Sequence, residues 1–271
     1  MKIETTIGIL SHDRSWHLAQ CLASIRQFTR TPYTVKVLDV GSAENHREHI
    51  SHFSGRDCEI GYCDDFLSCL EGRRRLLRLV DTEFVAFIDD DIKVAPGWLA
   101  NLLRPMRLDS NCGAVASNLI QEGGAGISSG CRYLERKGRA RVVRHHKTGF
   151  LGTAPMCSGG ATLYRFDVLK ETEKRPEFSG GFEDWDQTLQ ITQDLKRSIY
   201  GSRSVMFHRH LAECAGYFDR RWRWRELMEA ALAMWDRWQI RTAVDNVLTH
   251  YLKDQIVIPK DYAERIVEVL I

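Results

Sequence analysis

Apolar residues in the first ninety positions recur with two different periods, and the alternation between those periods predicts the architecture. Residues 3–10 (IETTIGIL) alternate and are rich in β-formers, which predicts a first strand. Behind the turn at 11–14, Trp16, Leu18, Leu22, Ile25 and Phe28 mark one face of a helix. Residues 34–40 predict a second strand that ends at Asp39 and the turn Gly41-Ser42. Residues 44–53 predict a short helix and 58–62 a third strand. Asp64-Asp65 is expected to cap a helix carrying Phe66, Leu67, Leu70, Leu76, Leu77 and Val80, and 83–88 predicts a fourth strand. Strands and helices that alternate at this length imply right-handed βαβ units, and so an α/β protein with a mostly parallel sheet flanked by helices.

The second half is less regular. A helix is expected over 97–106 and a strand over 112–117. Residues 118–158 are glycine-rich, basic and without clean periodicity, which predicts a long loop or irregular hairpin with a functional role. A glycine-marked strand over 157–165 and a short helix over 166–173 follow. Gly180-Gly181-Phe182-Glu183-Asp184-Trp185-Asp186 opens a helix whose apolar face includes Leu189, Ile191 and Leu195, and 198–210 predicts the last strand. From Arg220 the pattern is helical, anchored by Trp222, Trp224, Leu227, Leu232 and Trp235, with two further helices to residue 271. The expected organisation is one domain over 1–215, divided into halves at 1–91 and 92–215, with a helical appendage over 216–271.

Composition narrows the classes. A hydrophobic fraction of 44%, a charged fraction of 27% and a net charge of +2 describe an ordinary globular chain with no global field for nucleic acid or membrane. The eight cysteines include no C-x-x-C pair, which argues against zinc, and several lie in apolar segments, as buried thiols in a reducing cytoplasm do. The first residues run directly into a strand rather than a signal peptide. No apolar run reaches the roughly 18–20 residues that cross a bilayer, so a soluble, cytoplasmic protein is expected, peripheral at most to a membrane.

The chemistry concentrates where the apolar run Phe84, Val85, Ala86, Phe87, Ile88 stops in Asp89-Asp90-Asp91. Adjacent carboxylates repel, so a fold that gathers them at a strand end usually supplies a cation. A solvated acidic turn ahead of Pro96-Gly97 is the alternative, and the triplet alone does not decide. Between 132 and 147 seven Lys or Arg residues and two histidines stand against the single acid Glu135: a loop that draws an anionic substrate, or a solvated hairpin. Arg220-Arg221-Trp222-Arg223-Trp224-Arg225 mixes cations and aromatics as oligonucleotide-binding segments do, and reads rather as tryptophans packing a tail while arginines stay wet.

Five landmarks across residues 3–210 resemble the GT-A glycosyltransferases, in particular the family 2-like group. Ile7-Gly8-Ile9-Leu10-Ser11-His12-Asp13-Arg14 resembles the opening strand and turn, and Val37-Leu38-Asp39-Val40-Gly41-Ser42 resembles V-V-D-N-G-S. Gly72-Arg73-Arg74-Arg75 stands where the family has Ala-Arg-Asn, with Arg74 departing from that pattern. Asp89-Asp90-Asp91 resembles D-x-D, and Gly181-Phe182-Glu183-Asp184-Trp185-Asp186 resembles G-x-E-D-x-D. The resemblance implies a metal-dependent transfer of one sugar from a nucleotide donor of UDP type, with inversion preferred and retention left open because the fold hosts both outcomes. The acceptor is left open among a glycan, a lipid-linked saccharide, a peptide and a small molecule.

The same resemblance implies Asp184 as general base and Glu183 as a ligand of hydroxyls on the donor sugar or the acceptor. Nucleotide-binding roles fall to Ser11, His12, Arg14, Asp39, Arg73, Asp89 and Asp90, with Asp39 accepting from a base N–H and His12 stacking on the base. Gly180-Gly181 is expected to let backbone approach the donor sugar. Mn²⁺ or Mg²⁺ is implied on Asp91 and Asp89 with a third ligand from His208 or His210, which share a strand face at i and i+2. A sugar-nucleotide-forming nucleotidyltransferase is disfavoured because the turn at 11–14 holds no glycine, and a binding module without chemistry remains the other alternative.

Overall fold

The chain opens with β1 (Thr5–Ser11), α1 (Ser15–Phe28), β2 (Tyr33–Val40), α2 (Glu44–Ser51), β3 (Cys58–Cys63), α3 (Cys69–Leu77) and β4 (Phe84–Ile88). The structure, a computed structural model, describes residues 4–121, 127–137, 139–144, 152–209 and 224–241. The expected strands and helices of this half are present with shifted ends, except that α3 starts later than its apolar pattern. Its cap is Ser68, not Asp64-Asp65: the Ser68 hydroxyl accepts from Glu71 N, and the Glu71 carboxylate accepts from Ser68 N, closing a capping box. Trp16, expected on the buried face of α1, is 63% exposed. It stands two residues from Leu18 and so points away from the stripe formed by Leu18, Leu22 and Ile25.

The second half adds β5 (Ile92–Val94), α4 (Trp98–Leu108), β6 (Cys112–Gln121), β7 (Ile127–Ser129), β8 (Cys131–Lys137), β9 (Arg139–Arg144), β10 (Met156–Cys157) and β11 (Ala161–Arg165). After α5 (Phe166–Glu171) and a 3-10 turn (Pro176–Phe178), α6 (Glu183–Leu189) passes into a π-helical turn (Gln190–Asp194). The described chain ends with β12 (Ser198–His208), α7 (Trp224–Trp238) and β13 (Ile240–Arg241). Segment 118–158, expected as loop or hairpin, contains the antiparallel pair β8–β9. His145, His146, Lys147, His210, residues 220–223 and the helices expected after 241 lie outside the described residues.

The main sheet runs β3-β2-β1-β4-β11-β6-β12-β5, with β7 added on β6. The β3-β2-β1-β4 half is parallel throughout, as the βαβ pattern requires. Beyond it, β11 is antiparallel to β4 and β6, β12 is parallel to β6, and β5 is antiparallel to β12.

Period-2 alternation fills the two faces. Phe84, Ala86 and Ile88 of β4 join Leu18 and Leu22 of α1 and Leu99 and Leu102 of α4. Val85 and Phe87 join Leu76 of α3 and Val168 and Leu169 of α5. A second sheet, β10-β8-β9-β13, packs with α6 and α7 around Met156, Phe178, Leu189, Ala230, Met234 and Ile240.

Candidate functional site

β1 and β4 are parallel neighbours, so the turn after Ser11 and the triplet after Ile88 leave the sheet side by side. Of the three acids, Asp90 turns inward. Its Oδ2 accepts from Ser11 Oγ at 2.9 Å and its Oδ1 from Arg14 Nη1 at 3.0 Å. The same Arg14 nitrogen donates to Asp91 Oδ2 at 3.0 Å. Burial pushes the Asp90 carboxyl upward, Arg14 pulls against it, and neighbouring Asp91 adds to the rise. Ser11, Arg14 and Asp90, expected at the nucleotide, therefore form a buried layer that holds Asp91 from below.

Asp91 divides its oxygens, Oδ2 on Arg14 and Oδ1 towards His208 of β12, and Asp89 lies beside that pair. The three-residue strand β5 leaves the triplet and pairs antiparallel with the end of β12, setting His208 opposite Ile92. Arg209 N then donates to Asp91 O at 3.1 Å, and His208 Nε2 lies 3.3 Å from Asp91 Oδ1. Among the described residues, Asp89, Asp91 and His208 form the one cluster that could hold a metal, with ligand atoms within 4.8 Å of one another. Two hard carboxylate oxygens with one imidazole suit a divalent cation such as Mn²⁺. Burial lowers the His208 pKa, but its bond to Asp91 and the charges of Asp91 and Asp89 outweigh that and leave it raised. His208, one of the two histidines weighed for this position, thus meets the triplet, and His210 lies outside the described residues.

The opposite wall comes from β11, which pairs with β4 through Ala161 and Ile88. Just before it, Gly160 O accepts from Asp89 N at 3.0 Å, and Gly159 N donates to Asp184 Oδ2 at 2.8 Å. Both glycines leave space that neighbouring side chains occupy. A Cβ on Gly160 would stand 1.9 Å from Asp89 Oδ2, and one on Gly159 would stand 2.2 Å from Arg73 Nη1. Asp184 and Glu183 are presented by the first turn of α6, entered through Phe182 at a left-handed φ of 60°. Arg73 of α3 is buried between the halves, 3.6 Å from Asp89 Oδ1 and 3.5 Å from Glu183 Oε1, above the Phe87 ring. Its guanidinium thus ties Asp89 at the end of β4 to Glu183 at the start of α6.

Gly180-Gly181, expected to approach a donor sugar, has another neighbour. A Cβ on Gly180 would meet the Glu226 backbone at 2.3 Å, and one on Gly181, at φ +149°, would meet Leu227 at 2.8 Å. These glycines make room for α7. A second contact fixes α7 to α6: buried Asp186 accepts from Trp238 Nε1 at 2.8 Å, from Gln190 Nε2 at 2.8 Å and from Arg175 Nη1 at 2.8 and 3.1 Å.

Asp39 stands next to last in β2 with its side chain fully buried. Oδ1 accepts from Ser42 N at 3.3 Å and from Arg47 Nε at 3.0 Å, whereas Oδ2 is buried with no hydrogen-bond partner among the described residues. His12 bonds Val40 O through Nδ1 at 2.8 Å and meets Phe66 edge-on at 4.8 Å. Sequence reasoning missed Arg47, Gly159, Gly160, Arg175 and Trp238. A Ser-Gly-Gly run preceding a strand was the one available signal, and it marks Gly159-Gly160.

This arrangement, a parallel βαβ half joined to a mixed half with acids at the seam, is that of a GT-A glycosyltransferase. Residues 6–172 match the glycosyl transferase family 2, and the chain belongs to that family. No curated protein sequence matches. Among solved structures, a crystal structure of GalNAc-T7 with UDP, GalNAc and Mn²⁺ superposes with a TM-score of 0.62 at 15% identity. The match covers 82% of this chain and 44% of that one, so this chain spans less than half the length of that neighbour. The likeness carries the fold. No helix among the described residues is long and apolar enough to cross a membrane.

Proposed function

We propose that this protein transfers one sugar from a UDP-linked donor to an acceptor hydroxyl, with inversion and with a divalent metal. The observation that carries this reading is the convergence of the Asp89–Asp91–His208 cluster and Asp184 on the Gly159–Gly160 turn. The presence of UDP and Mn²⁺ in the GalNAc-T7 structure supports the donor and metal classes. Asp89, Asp91 and His208 would hold the cation, which when bound supplies Lewis-acid stabilisation of the diphosphate leaving group.

The remaining steps belong to the chain. Asp39 Oδ2 accepts the base N–H, and His12 borders the base. Arg73 offsets one of the two charges on Asp89 and Glu183 and so lessens the repulsion that the diphosphate meets. Glu183 accepts from sugar hydroxyls. Asp184, held by Gly159 N, takes the proton of the attacking acceptor hydroxyl. The 1–91 half binds nucleotide, the 92–215 half carries acceptor and catalysis, and the acceptor is a glycan, lipid-linked saccharide, peptide or small molecule.

The test is calorimetry of UDP with and without Mn²⁺, followed by UDP release from a panel of UDP-sugars. UDP is expected to bind in a Mn²⁺-dependent way, and Asp184→Asn is expected to abolish turnover while leaving that binding intact. Unchanged turnover in the variant removes Asp184 from the base role, and no nucleotide binding by the wild-type protein removes the whole reading.

A further inference from the structure

Asp39 presents two oxygens in very different states. Oδ1 already receives two donors, Ser42 N and Arg47 Nε, while Oδ2 is buried and receives none among the described residues. A buried carboxylate oxygen left without a donor is costly, and a ligand N–H is the natural group to satisfy it. Ser42 N and Arg47 Nε together fill Oδ1, and Arg47 is the side-chain donor of the two. It reaches across from α2, only 20% of its side chain is exposed, and its Nη1 and Nη2 are tied to Asp64 Oδ1 (2.8 Å) and Cys63 O (2.5 Å). The guanidinium is therefore pinned at both ends and keeps Nε on Oδ1.

We infer that Arg47 is a specificity-determining residue: by occupying Asp39 Oδ1 it leaves a single acceptor, which selects a base with one edge N–H, a uracil-type imide, over guanine. The inference rests on the proposed role of Asp39 at the base. Uracil presents one N–H between two carbonyls, and one free oxygen satisfies it. Guanine presents N1–H and N2–H side by side and pairs well with a carboxylate only when both oxygens are open. Cytosine presents a lone pair at N3 and is repelled by the same oxygen. Arg47 thus acts through Asp39 as a positioning residue, and the discrimination lies in how many acceptors it leaves.

The experiment uses the full chain and calorimetric titration with UDP and GDP, each with Mn²⁺. Arg47→Ala frees one of the two acceptor positions of Oδ1 and leaves Ser42 N on the other, and the ratio of GDP to UDP dissociation constants is expected to fall at least about tenfold, about 1.4 kcal/mol. Arg47→Gln separates donor occupancy from charge, because glutamine Nε2 stands at the same point along the side chain as arginine Nε. This variant is expected to keep the uridine preference within about threefold of wild type. A wild-type ratio in Arg47→Ala, or a ratio in Arg47→Gln as relaxed as in Arg47→Ala, overturns the inference. If Arg47→Ala binds neither nucleotide, the Arg47→Gln ratio decides alone: retained preference supports the inference and lost preference overturns it. Failure of wild-type protein to bind UDP would instead reject the nucleotide-sugar reading itself.

Discussion

Gly160→Ala should separate the integrity of the fold from that of the cation site. The added Cβ would stand 1.9 Å from Asp89 Oδ2 and 2.3 Å from Asp89 Cγ, where no real Cβ contact falls below 3.0 Å, so the carboxylate must retreat by at least 1.1 Å. The backbone at 160 needs no left-handed φ, and the Asp89 side chain is 38% exposed, so the retreat is a side-chain rotation into open space. The Asp89 N to Gly160 O bond and the β4–β11 register survive. What is lost is the match between Asp89 and the Asp91–His208 pair. A shift of about 1 Å in a positioned group costs on the order of a hundredfold. The expected outcome is a thermal unfolding midpoint within about 2 °C of wild type, together with Mn²⁺-dependent UDP affinity lowered about 10- to 100-fold. Calorimetry with UDP, with and without Mn²⁺, reads the second quantity directly. If Gly160→Ala binds Mn²⁺ and UDP as wild type does, Asp89 is not a ligand and the geometry of the cluster has been misassigned.

Other perturbations address separate links. Asp91→Ala should make UDP affinity independent of Mn²⁺; undiminished metal dependence in the same titration excludes Asp91 as a ligand. Trp238→Phe removes one of the donors on buried Asp186 but leaves Arg175 and Gln190 in place. A loss of about 1.5 kcal/mol is expected, seen as about 3–6 °C in the unfolding midpoint, and an unchanged midpoint would show that α7 is not held through this bond. Lys174 is half-buried on Thr172 Oγ1, and burial, with a smaller push from Arg73, lowers its ammonium to about 7 from 10.5. The unfolded chain then binds the extra proton between those values, so Lys174 makes stability rise with pH from about 7 to 10.5. Solvent at the half-buried group reduces the effect to on the order of 1–2 kcal/mol. Lys174→Met should be more stable than wild type at pH 7 and lose that slope in urea titrations at pH 7 and 9; an equal slope in both proteins refutes the assignment.

The parallel half was legible because each element there satisfies a local rule: period-2 runs in β1, β2 and β4, and a 3.6-period stripe in α1. The acids were legible for a related reason, since neighbouring carboxylates such as Asp89 to Asp91 are unfavourable without a partner and so stand out in one dimension. Their partners were much less so. Arg14, Arg73 and Arg175 are buried against Asp90, Glu183 and Asp186, and Arg47 reaches fully buried Asp39; the resemblance marked Arg14 and Arg73, but for a nucleotide rather than for these acids, and Arg47 and Arg175 are two unmarked among 38 Lys and Arg residues. What distinguishes them is desolvation, which depends on strands and helices brought together from far apart: Ser11 to Asp90 spans 79 positions and Arg73 to Glu183 spans 110. The same holds for β5, whose three residues carry no reliable period but whose pairing with β12 brings His208 to Asp91. Where a site is built by compensating charge, then, one sign is visible from sequence as a cluster, while the compensating residues have to be found by asking which cations the fold has removed from water.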